Sequence, residues 1–527
     1  MTLFGWFVFF LILQIVHYLG TWKLYVKAGR KSWEAAIPVY NCIVLMKIIN
    51  RPSWWTILLF IPVINLILFP VVWVETIRSF GKKSTIDTIL VLATLGFYIY
   101  YINYTQDVTH NKDRSLVSSS KAGDTVSSLL FAIIVATLVH TYVMQPFTIP
   151  TSSLEKTLLV GDFLFVSKFN YGARIPMTTI AAPMVHDTLP FIKIKSYRTW
   201  PQLPYFRFPG FEKVANNDIV VFNWPADTLY NMYKPADKRY DKPIDKKTNY
   251  VKRCVGIPGD NLAVKDGIVF INDKELALPE RAKLQYSYWL GYDGKTPLDF
   301  EFLLKDMKVT DGIDYVSRNR DTIHIKALTK ENAERFKNIP GITSVNRMIR
   351  KDPEDGVYPD PQDGIVSKTN NWNSDNFGPI YIPKAGVTVA LDLTSLPLYK
   401  KIITEYEQGN TLKVIGNDIY INNAIVKSYT FQKDYYWMMG DNRHNSLDAR
   451  YFGFTPEDHI VGKPVFIWMS WDTNGKGFGK IRWERLFTTV GGDGEPRSYF
   501  KFFLFLLLLY FAIDYIIKRR SAKKENT

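Results

Sequence analysis

Long apolar segments near both ends of this 527-residue chain constrain its fold most strongly. A helix of about 18 to 25 apolar residues with few charges is long enough to cross a bilayer. Residues 53–75 and 86–103 fit this description, residues 125–147 and 499–517 fit it most clearly, and residues 3–19 fit it narrowly. Residues 33–49 are ambiguous, because Pro38, Asn41 and Lys47 suit an interfacial or re-entrant helix better than a span. The first segment lacks a basic start and an A-x-A site, so we expect a retained helix rather than a cleaved leader.

The net charge of +15 supports the membrane assignment. Residues 1–124 hold 12 Lys and Arg against 6 Asp and Glu, and residues 514–527 hold 5 against 2. Basic residues beside apolar segments are typical of cytoplasmic loops, whereas nucleic-acid binding needs a basic face on a soluble domain. We therefore expect residues 104–124 and the tail to be cytoplasmic and residues 148–498 to lie on the opposite side. The cluster Arg78, Lys82 and Lys83 fits less well, because a simple count of spans places it outside too.

Residues 148–498 carry short β-branched and aromatic runs bounded by turn residues, such as Asp218–Phe222 and Pro464–Trp468. Two similar segments, 262–273 and 412–423, predict two hairpins. We expect a mainly β exported domain of twisted antiparallel sheets, partly barrel-like, anchored by several transmembrane helices. The predicted organisation is a membrane region (1–124), a transmembrane helix (125–147), a core in two parts (148–282 and 396–498) around an inserted subdomain (283–395), a C-terminal transmembrane helix (499–517) and a basic tail (518–527).

The first candidate site directly follows the span at 125–147. Thr151, Ser152 and Ser153 form a cluster of hydroxyls, and Ser153 lies at most about 27–29 Å from the membrane boundary at Gln145. A nucleophile there would act on something presented at the bilayer surface, although a Ser- and Thr-rich turn that caps a strand or helix is the commoner explanation of such a cluster taken alone. Ser153 and Lys156 also form an SxxK pattern, which penicillin-recognising acyltransferases use, and 374–376 supply an SDN. No KTG exists in the chain, which argues against that class.

The second candidate is the segment 249–262, NYVKRCVGIPGDNL, which reads as a strand and a glycine-proline turn. Alternation places Lys252 and Cys254 on one face of the strand. Burial among apolar neighbours would lower the pKa of Lys252, and a neutral lysine can deprotonate a serine hydroxyl. An exposed Lys-Arg pair is the alternative. Cys254 we interpret as a small buried hydrophobe.

The third candidate is the polar loop 438–454, MMGDNRHNSLDARYFGF, between aromatic strands. Asp448 and Arg450 can pair with each other or with Arg253, and Ser446 can bond an amine. We interpret His444 as an exposed loop histidine, because a lysine base makes a histidine unnecessary. The two cysteines, Cys42 and Cys254, and the seven histidines show no metal-ligand spacing, so no metal or organic cofactor is expected.

These three segments, in this order after a membrane span, resemble the boxes of bacterial type I signal peptidases, a serine-lysine dyad family. Residues 252–260 match KRxxGxPGD in full, and residues 440–450 match GDNRxxSxDxR. The serine box, usually SxSMxPTL, here has Leu154 in place of Met and Lys156 in place of Pro. Asn217 and Ala449 are further departures, which bear on substrate preference rather than on the reaction.

The resemblance implies a role for each matched residue. Ser153 would be the nucleophile and Lys252 the general base, with Thr151 completing an oxyanion hole and Ser446 orienting the lysine. A structural role in the loop would fall to six residues: Arg253, Asp441, Asn442, Arg443, Asp448 and Arg450.

The resemblance further implies a hydrolase of the bacterial cytoplasmic membrane, a multi-pass serine endopeptidase with its catalytic domain on the extracytoplasmic side. It would cleave signal peptides from exported preproteins after a small-x-small site. Its expected partners are preprotein signal peptides and the lipid bilayer, with the protein translocation machinery a candidate and nucleic acid excluded. Two alternatives stay open: a penicillin-recognising acyltransferase that uses Ser153 and Lys156, and a non-catalytic membrane export scaffold.

Overall fold

The computed structural model describes residues 2–116, 121–232, 238–307, 309, 311–315, 321–359, 372–407, 409–472, 475–492 and 494–525. Its contacts divide the chain into two compact units. Unit 1 comprises Met1–Val143, Ala173–Pro209 and Thr228–Lys247, and unit 2 comprises Met144–Gly172, Gly210–Asp227 and Thr248–Thr527. Unit 1 is helical and unit 2 is mostly β.

The helices of unit 1 follow the apolar segments of the sequence. They are α1 (Leu3–Lys27), α2 (Tyr40–Ile48), α3 (Trp55–Leu58), α4 (Ile64–Ser79), α5 (Thr85–Ala93), α6 (Tyr98–Thr105) and α7 (Lys121–Leu138), the last continuing to Val143 as a π-helix. Leu24, Tyr25, Met46 and Val72 belong to one buried apolar core. A carboxylate at the base of this core, Glu75, pairs with Arg51 and Arg114.

Three helices of the described chain are long and apolar enough to cross a membrane: Leu3–Lys27, Lys121–Val143 and Phe500–Arg519. A fourth candidate, formed by α5 and α6, is bent by 118° at its break. Residues 53–75, expected as one membrane-length segment, do not continue as one helix. The helix is broken between Leu58 and Ile64, where Val63 adopts a φ of 70°.

Unit 2 contains the strands and the remaining helices. The strands are β1 (Met144–Thr148), β2 (Asp162–Ser167), β3 (Ile219–Asn223), β4 (Asn249–Gly256), β5 (Asn261–Lys265), β6 (Ile268–Ile271), β7 (Lys274–Glu275), β8 (Gln285–Tyr292), β9 (Ile313–Tyr315), β10 (Thr322–Thr329), β11 (Ile342–Arg347), β12 (Phe377–Tyr381), β13 (Thr388–Ala390), β14 (Leu412–Ile415), β15 (Asp418–Ile421), β16 (Ala424–Val426), β17 (Ser428–Thr430), β18 (Tyr435–Met439), β19 (Thr455–Pro456), β20 (Ile460–Ser470) and β21 (Thr488–Thr489). The helices are α8 (Phe300–Asp306), α9 (Lys330–Lys337), α10 (Leu396–Lys401), α11 (Ala449–Phe452) and α12 (Phe500–Glu525).

The largest sheet is antiparallel and curled into a half-barrel, with the strand order β1-β2-β20-β3-β4-β18-β19. Strand β4 lies inside it, between β3 and β18. Both faces of β4 are buried from Lys252 to Gly256, because apolar residues such as Val220, Phe222 and Trp437 pack around it. The prediction of a mainly β domain with antiparallel sheets and membrane helices is confirmed.

Both predicted hairpins are present. Strands β5 and β6 pair across Asp266 and Gly267, both at positive φ, as a two-residue turn of type I′ requires. Strands β14 and β15 pair across Gly416 and Asn417, where the first turn residue, Gly416, is at positive φ, as a turn of type II′ requires.

The segment between the two parts of the half-barrel builds a separate sheet with the order β11-β8-β10-β9. Helix α9 packs on it through Ala333 and Phe336, and Leu290, Ile323 and Leu328 complete a small core. Because this sheet has its own core, it can place side chains at fixed positions at its margin.

Candidate active site

The serine turn, residues Thr151–Leu154, brings Ser153 onto the buried lysine of β4. After β1 the chain forms a short 3-10 helix, Ser152–Leu154, which Leu154 anchors with a side chain that is 2% exposed. Lys252 Nζ lies 2.5 Å from Ser153 Oγ, although the two residues are 99 positions apart in the sequence. The structure therefore brings together the two residues that the sequence nominated for catalysis.

Lys252 lies in an environment that disfavours its charge. The residue is 4% exposed and opposite Val220 of β3. Burial lowers the pKa of Lys252 to about 8; the charges of Asp448 and Asp441 oppose this shift, and that of Arg450 reinforces it. Among the described residues no carboxylate lies within ion-pair distance of its Nζ. A substantial fraction of Lys252 is thus neutral near pH 8, which a general base requires.

Arg253, the next residue of β4, is held by a paired carboxylate. Its Nε and Nη2 donate to the two oxygens of Asp441 at 2.8 and 2.6 Å, and its Nη1 donates to the carbonyl of Asn217. The arginine lowers the pKa of Asp441 despite burial, so the pair is ionised. Thr157 Oγ1 also donates to Asp441, at 2.6 Å. One carboxylate therefore ties β4 to the chain that leaves the serine turn.

A second buried ion pair shapes the loop after β18, residues 440–450. Arg450 donates from Nε and Nη2 to the two oxygens of Asp448 at 2.9 and 2.8 Å, and also to the carbonyl of Arg443. Asp448 in turn accepts the backbone N–H of Gly440. Arg253 and Arg450 thus pair with different carboxylates, and each pair fixes one end of the loop.

Gly440 allows the loop to approach the serine turn closely. A Cβ at this position would lie 2.2 Å from Ser446 Oγ and 2.7 Å from the carbonyl oxygen of Ser153. Both distances are too short for non-bonded atoms, so this position requires glycine. Ser446 Oγ is buried and has no hydrogen-bond partner among the described residues, so the structure shows no bond from it to Lys252. Thr151 is exposed, immediately before the 3-10 helix.

Asn442 and Asn445 connect the loop to the serine turn. The Asn442 N–H donates to the carbonyl of Ser153 at 3.1 Å, and its Nδ2 donates to the carbonyl of Ser152 at 3.2 Å. Asn445 Nδ2 donates to Ser152 Oγ at 3.1 Å. Arg443 is 2% exposed, and its N–H donates to the carbonyl of Gln285 at the start of the inserted sheet.

The prediction that His444 is an exposed loop histidine was wrong. Its side chain is 3% exposed, its Nε2 lies 2.9 Å from Asp375 Oδ1, and its Nδ1 accepts the N–H of Ser287. Asp375 and Ser287 both belong to the segment between the two halves of the core. The histidine therefore joins that segment to the loop and does not contact Ser153.

Three residues at the site were not found from the sequence: Thr157, Asp375 and Asp311. Thr157 lies in the serine box, whose hydroxyls offered a signal, whereas Asp375 was noted only as part of the SDN pattern. Asp311 carries no local signal, because it follows α8 in a charged stretch, yet its Oδ2 accepts from Asn442 and Asn445 at 2.6 and 3.0 Å.

A cavity of about 610 Å³ opens beside the serine turn. Its wall includes Lys156 and Thr157, which follow the serine turn, Arg281 and Lys283 before the inserted sheet, and Arg485. Arg281 donates to the carbonyls of residues 489, 491 and 494, so the chain before α12 closes one side. Among the described residues no group of three or more His, Cys, Asp and Glu side chains is placed to hold a metal ion.

The SxxK pattern does not form a helical site. Ser153 lies in a 3-10 helix of three residues, and Lys156 adopts a φ of 72°, outside the helical region. The SDN segment lies against the loop instead, where Ser374 O accepts from Arg450.

Two family models match the chain. Residues 33–113 match a family of unknown function (DUF5684), and residues 122–324 and 394–471 match the family described as signal peptidase, peptidase S26. Curated relatives named signal peptidase I include a protein of Buchnera aphidicola subsp. Acyrthosiphon pisum, 27% identical over 64% of this chain and 72% of its own length. A Haemophilus influenzae relative of the same name is 24% identical over 70% of this chain and 76% of its own.

The two matched ranges of the peptidase model contain the serine turn, β4 and the loop after β18, and together they cover more than half of the sequence. The chain therefore belongs to the signal peptidase family, peptidase S26.

Proposed function

We propose that the protein is a membrane-bound serine endopeptidase that removes N-terminal signal peptides from exported preproteins with a Ser153–Lys252 dyad. The observation that carries the proposal is the 2.5 Å contact between the serine hydroxyl and a buried lysine whose pKa is lowered to about 8. The names of the curated relatives supply the substrate class.

In the first step, Ser153 Oγ attacks the scissile carbonyl carbon while Lys252 Nζ accepts the hydroxyl proton. The tetrahedral intermediate collapses, the C–N bond breaks, and Lys252 returns the proton to the leaving amine. Lys252, neutral again, then removes a proton from water, which hydrolyses the ester on Ser153. The second tetrahedral intermediate collapses, the C–O bond to Ser153 breaks, and Lys252 returns its proton to Ser153 Oγ. One lysine thus serves both half-reactions, and no histidine takes part.

The negative charge on the intermediate needs donors that are in place beforehand. The Ser153 N–H and the Thr151 hydroxyl would supply them. Ser446 lies against Gly440 with an unsatisfied Oγ, and we assign it the role of orienting Lys252 once substrate closes the site. The buried Arg253–Asp441 and Arg450–Asp448 pairs hold β4 and the loop in register.

The substrate would bind as an extended strand. Strand β1 ends the strand order of the half-barrel and leads into the serine turn, so its outer edge can pair with a peptide main chain. A small-x-small site would then place its carbonyl at Ser153, with the apolar part of the signal peptide in the bilayer.

We further propose that residues 148–498, which carry the candidate site, lie on the extracytoplasmic side of the bacterial cytoplasmic membrane. With three spans, residues 28–120 lie on the same side as the tail, which removes the conflict over Arg78, Lys82 and Lys83. The bent pair α5–α6 supports this count, because Lys82 before it and Gln106 after it are hydrogen-bonded at 3.0 Å. A segment whose two ends meet enters and leaves on one side.

The test is cleavage of a purified preprotein by protein in lipid. We expect Ser153→Ala and Lys252→Ala to leave the preprotein intact, and sequencing of the wild-type product to give a mature N-terminus after a small-x-small site. Ser428→Ala and Lys413→Ala, exposed residues of β17 and β14, are the matched controls. Normal processing by either dyad variant would overturn the mechanism. Wild-type protein labelled at Ser153 by a β-lactam but inert towards preproteins would favour the acyltransferase, and full complementation by dyad variants would favour a scaffold.

A further inference from the structure

The inserted sheet delivers a carboxylate to the serine turn. Strand β8 begins beside the loop after β18, where Gln285 and Asn442 form a parallel bridge and Gln285 N–H donates to the carbonyl of Asp441. From this sheet Asp311, which precedes β9, reaches Asn442 and Asn445. The insertion therefore contacts the two residues that connect the loop to the turn.

The hydrogen bonds of the two asparagines form two bridges from Asp311. An Asn amide has two N–H donors, and an ionised carboxylate only accepts, so Asp311 fixes which way each amide points. For Asn442 the bridge runs from Asp311 Oδ2 (2.6 Å) to the carbonyl of Ser152 (3.2 Å). For Asn445 it runs from the same oxygen (3.0 Å) to Ser152 Oγ (3.1 Å).

The carbonyl of Ser152 and the N–H of Ser153 belong to one planar peptide group and point in opposite directions. A donor that holds the Ser152 carbonyl consequently fixes where the Ser153 N–H points. That N–H is the backbone donor of the proposed oxyanion hole. Its direction matters most in the transition state, when charge develops on the substrate oxygen.

We propose that Asp311, supplied by the inserted subdomain, is a positioning residue that orients the oxyanion hole through Asn442 and Asn445. The proposal rests on the proposed function and assigns the insertion a part in the same reaction. Asp311 does not touch the reacting atoms, because its effect passes through the two amides and Ser152.

The experiment measures kcat and KM for cleavage of a model preprotein by the full-length protein in lipid. We expect Asp311→Ala to lower kcat about 10- to 100-fold, below the roughly 10²–10³-fold cost of removing an oxyanion donor outright, with KM within about 2-fold. Asp311→Asn should lose less, because its carbonyl oxygen still accepts from an amide. The matched control is Asp314→Ala on β9, an exposed carboxylate paired with Lys326, which should stay within about 2-fold of wild type.

A comparison of multiple variants separates positioning from a general structural effect. If Asp311 acts through the two asparagines, the triple variant Asp311→Ala/Asn442→Ala/Asn445→Ala should be no more than about 2-fold worse in kcat than Asn442→Ala/Asn445→Ala. Multiplicative losses would overturn the proposal, as would an unchanged kcat in folded Asp311→Ala or a loss confined to KM. If Asp311→Ala unfolds at the assay temperature, Asp311→Leu, which keeps the side-chain volume but has no acceptor, decides by the same criteria.

Failure of the two proposals is distinguishable. A wild-type protein that leaves every preprotein intact contradicts the proposed function, and the role of Asp311 falls with it. A wild-type protein that cleaves, beside an Asp311→Ala variant that cleaves equally well, contradicts only the role of Asp311.

Discussion

Two kinds of buried cation lie side by side on β4 and the loop after β18. Arg253 and Arg450 each form a two-point ion pair with a carboxylate, whereas Lys252, the residue before Arg253 on β4, has Ser153 Oγ as its close polar neighbour. Buried cations of one fold can thus have different roles, structural for the two arginines and, as we propose, chemical for Lys252. The paired arginines hold the loop, whereas among the residues that the structure describes no carboxylate contacts Lys252, the proposed base.

The largest effect is expected when Lys252 is replaced by an arginine, and it is an effect on the rate of cleavage. Lys252→Arg keeps a cation on β4 but cannot act as a base, because the guanidinium stays protonated. We expect kcat/KM for preprotein cleavage to fall by about 10⁴-fold or more, as for the loss of a member of a catalytic unit. A variant that keeps even a tenth of wild-type activity would show that Lys252 is not the base.

Removing a carboxylate from the paired set should cost stability. Asp441→Ala leaves Arg253 charged and buried, and we expect the free energy of unfolding to fall by about 3–5 kcal/mol. The control is Asp306→Ala, whose partner Arg335 is half exposed, for which about 0–1 kcal/mol is expected. Denaturant unfolding of both variants in detergent measures the difference. Equal losses of unfolding free energy would mean that the buried Arg253–Asp441 pair stabilises the fold no more than an exposed pair does.

Replacing Lys252 should have the opposite effect and raise the free energy of unfolding. The pKa of Lys252 is about 8 in the fold and about 10.4 in the unfolded chain, so the unfolded state binds the proton more readily. Wild-type stability therefore rises from about pH 8 to about pH 10.4 and is lowest below pH 8. We expect Lys252→Met to be about 3 kcal/mol more stable than wild type at pH 7, with the gain fading above pH 10. A Lys252→Met variant less stable than wild type at pH 7 would contradict the conclusion that burial lowers the pKa of Lys252.

The smallest effect concerns the buried histidine. His444→Ala removes the partner of Asp375, and we expect the free energy of unfolding to fall by about 1–3 kcal/mol. Because His444 contacts neither Ser153 nor Lys252, kcat should change by less than about 10-fold. A loss comparable to that of Lys252→Arg would give the histidine a catalytic role and end the contrast between the two kinds of site.

The sequence predicted the local parts of this site and missed the distant ones. Alternation on β4 and the Asp-Gly turn of the β5–β6 hairpin are set by neighbouring residues, so the pattern alone revealed them. The burial of His444 depends on Asp375, 69 positions away, and the bridge to Ser152 depends on Asp311, 131 positions from Asn442. Such contacts follow from how the inserted sheet docks, which no local pattern encodes.

The membrane region shows the same limit. Apolar composition identified the spans at both ends of the catalytic part, because length and hydropathy suffice for a helix exposed to lipid. The break at Val63 and the 118° bend between α5 and α6 arise where helices pack on one another. Hydropathy alone counts each of these segments as a candidate span, because it detects neither the break nor the bend.

If a neutral Lys252 starts the reaction, the pH dependence of kcat/KM follows the loss of its proton. We predict a rate that rises with pH through a midpoint near 8 and falls about tenfold per pH unit below it, unchanged in shape in His444→Ala. A rate independent of pH between about 6 and 9, or a pH dependence that His444→Ala abolishes, would contradict this mechanism.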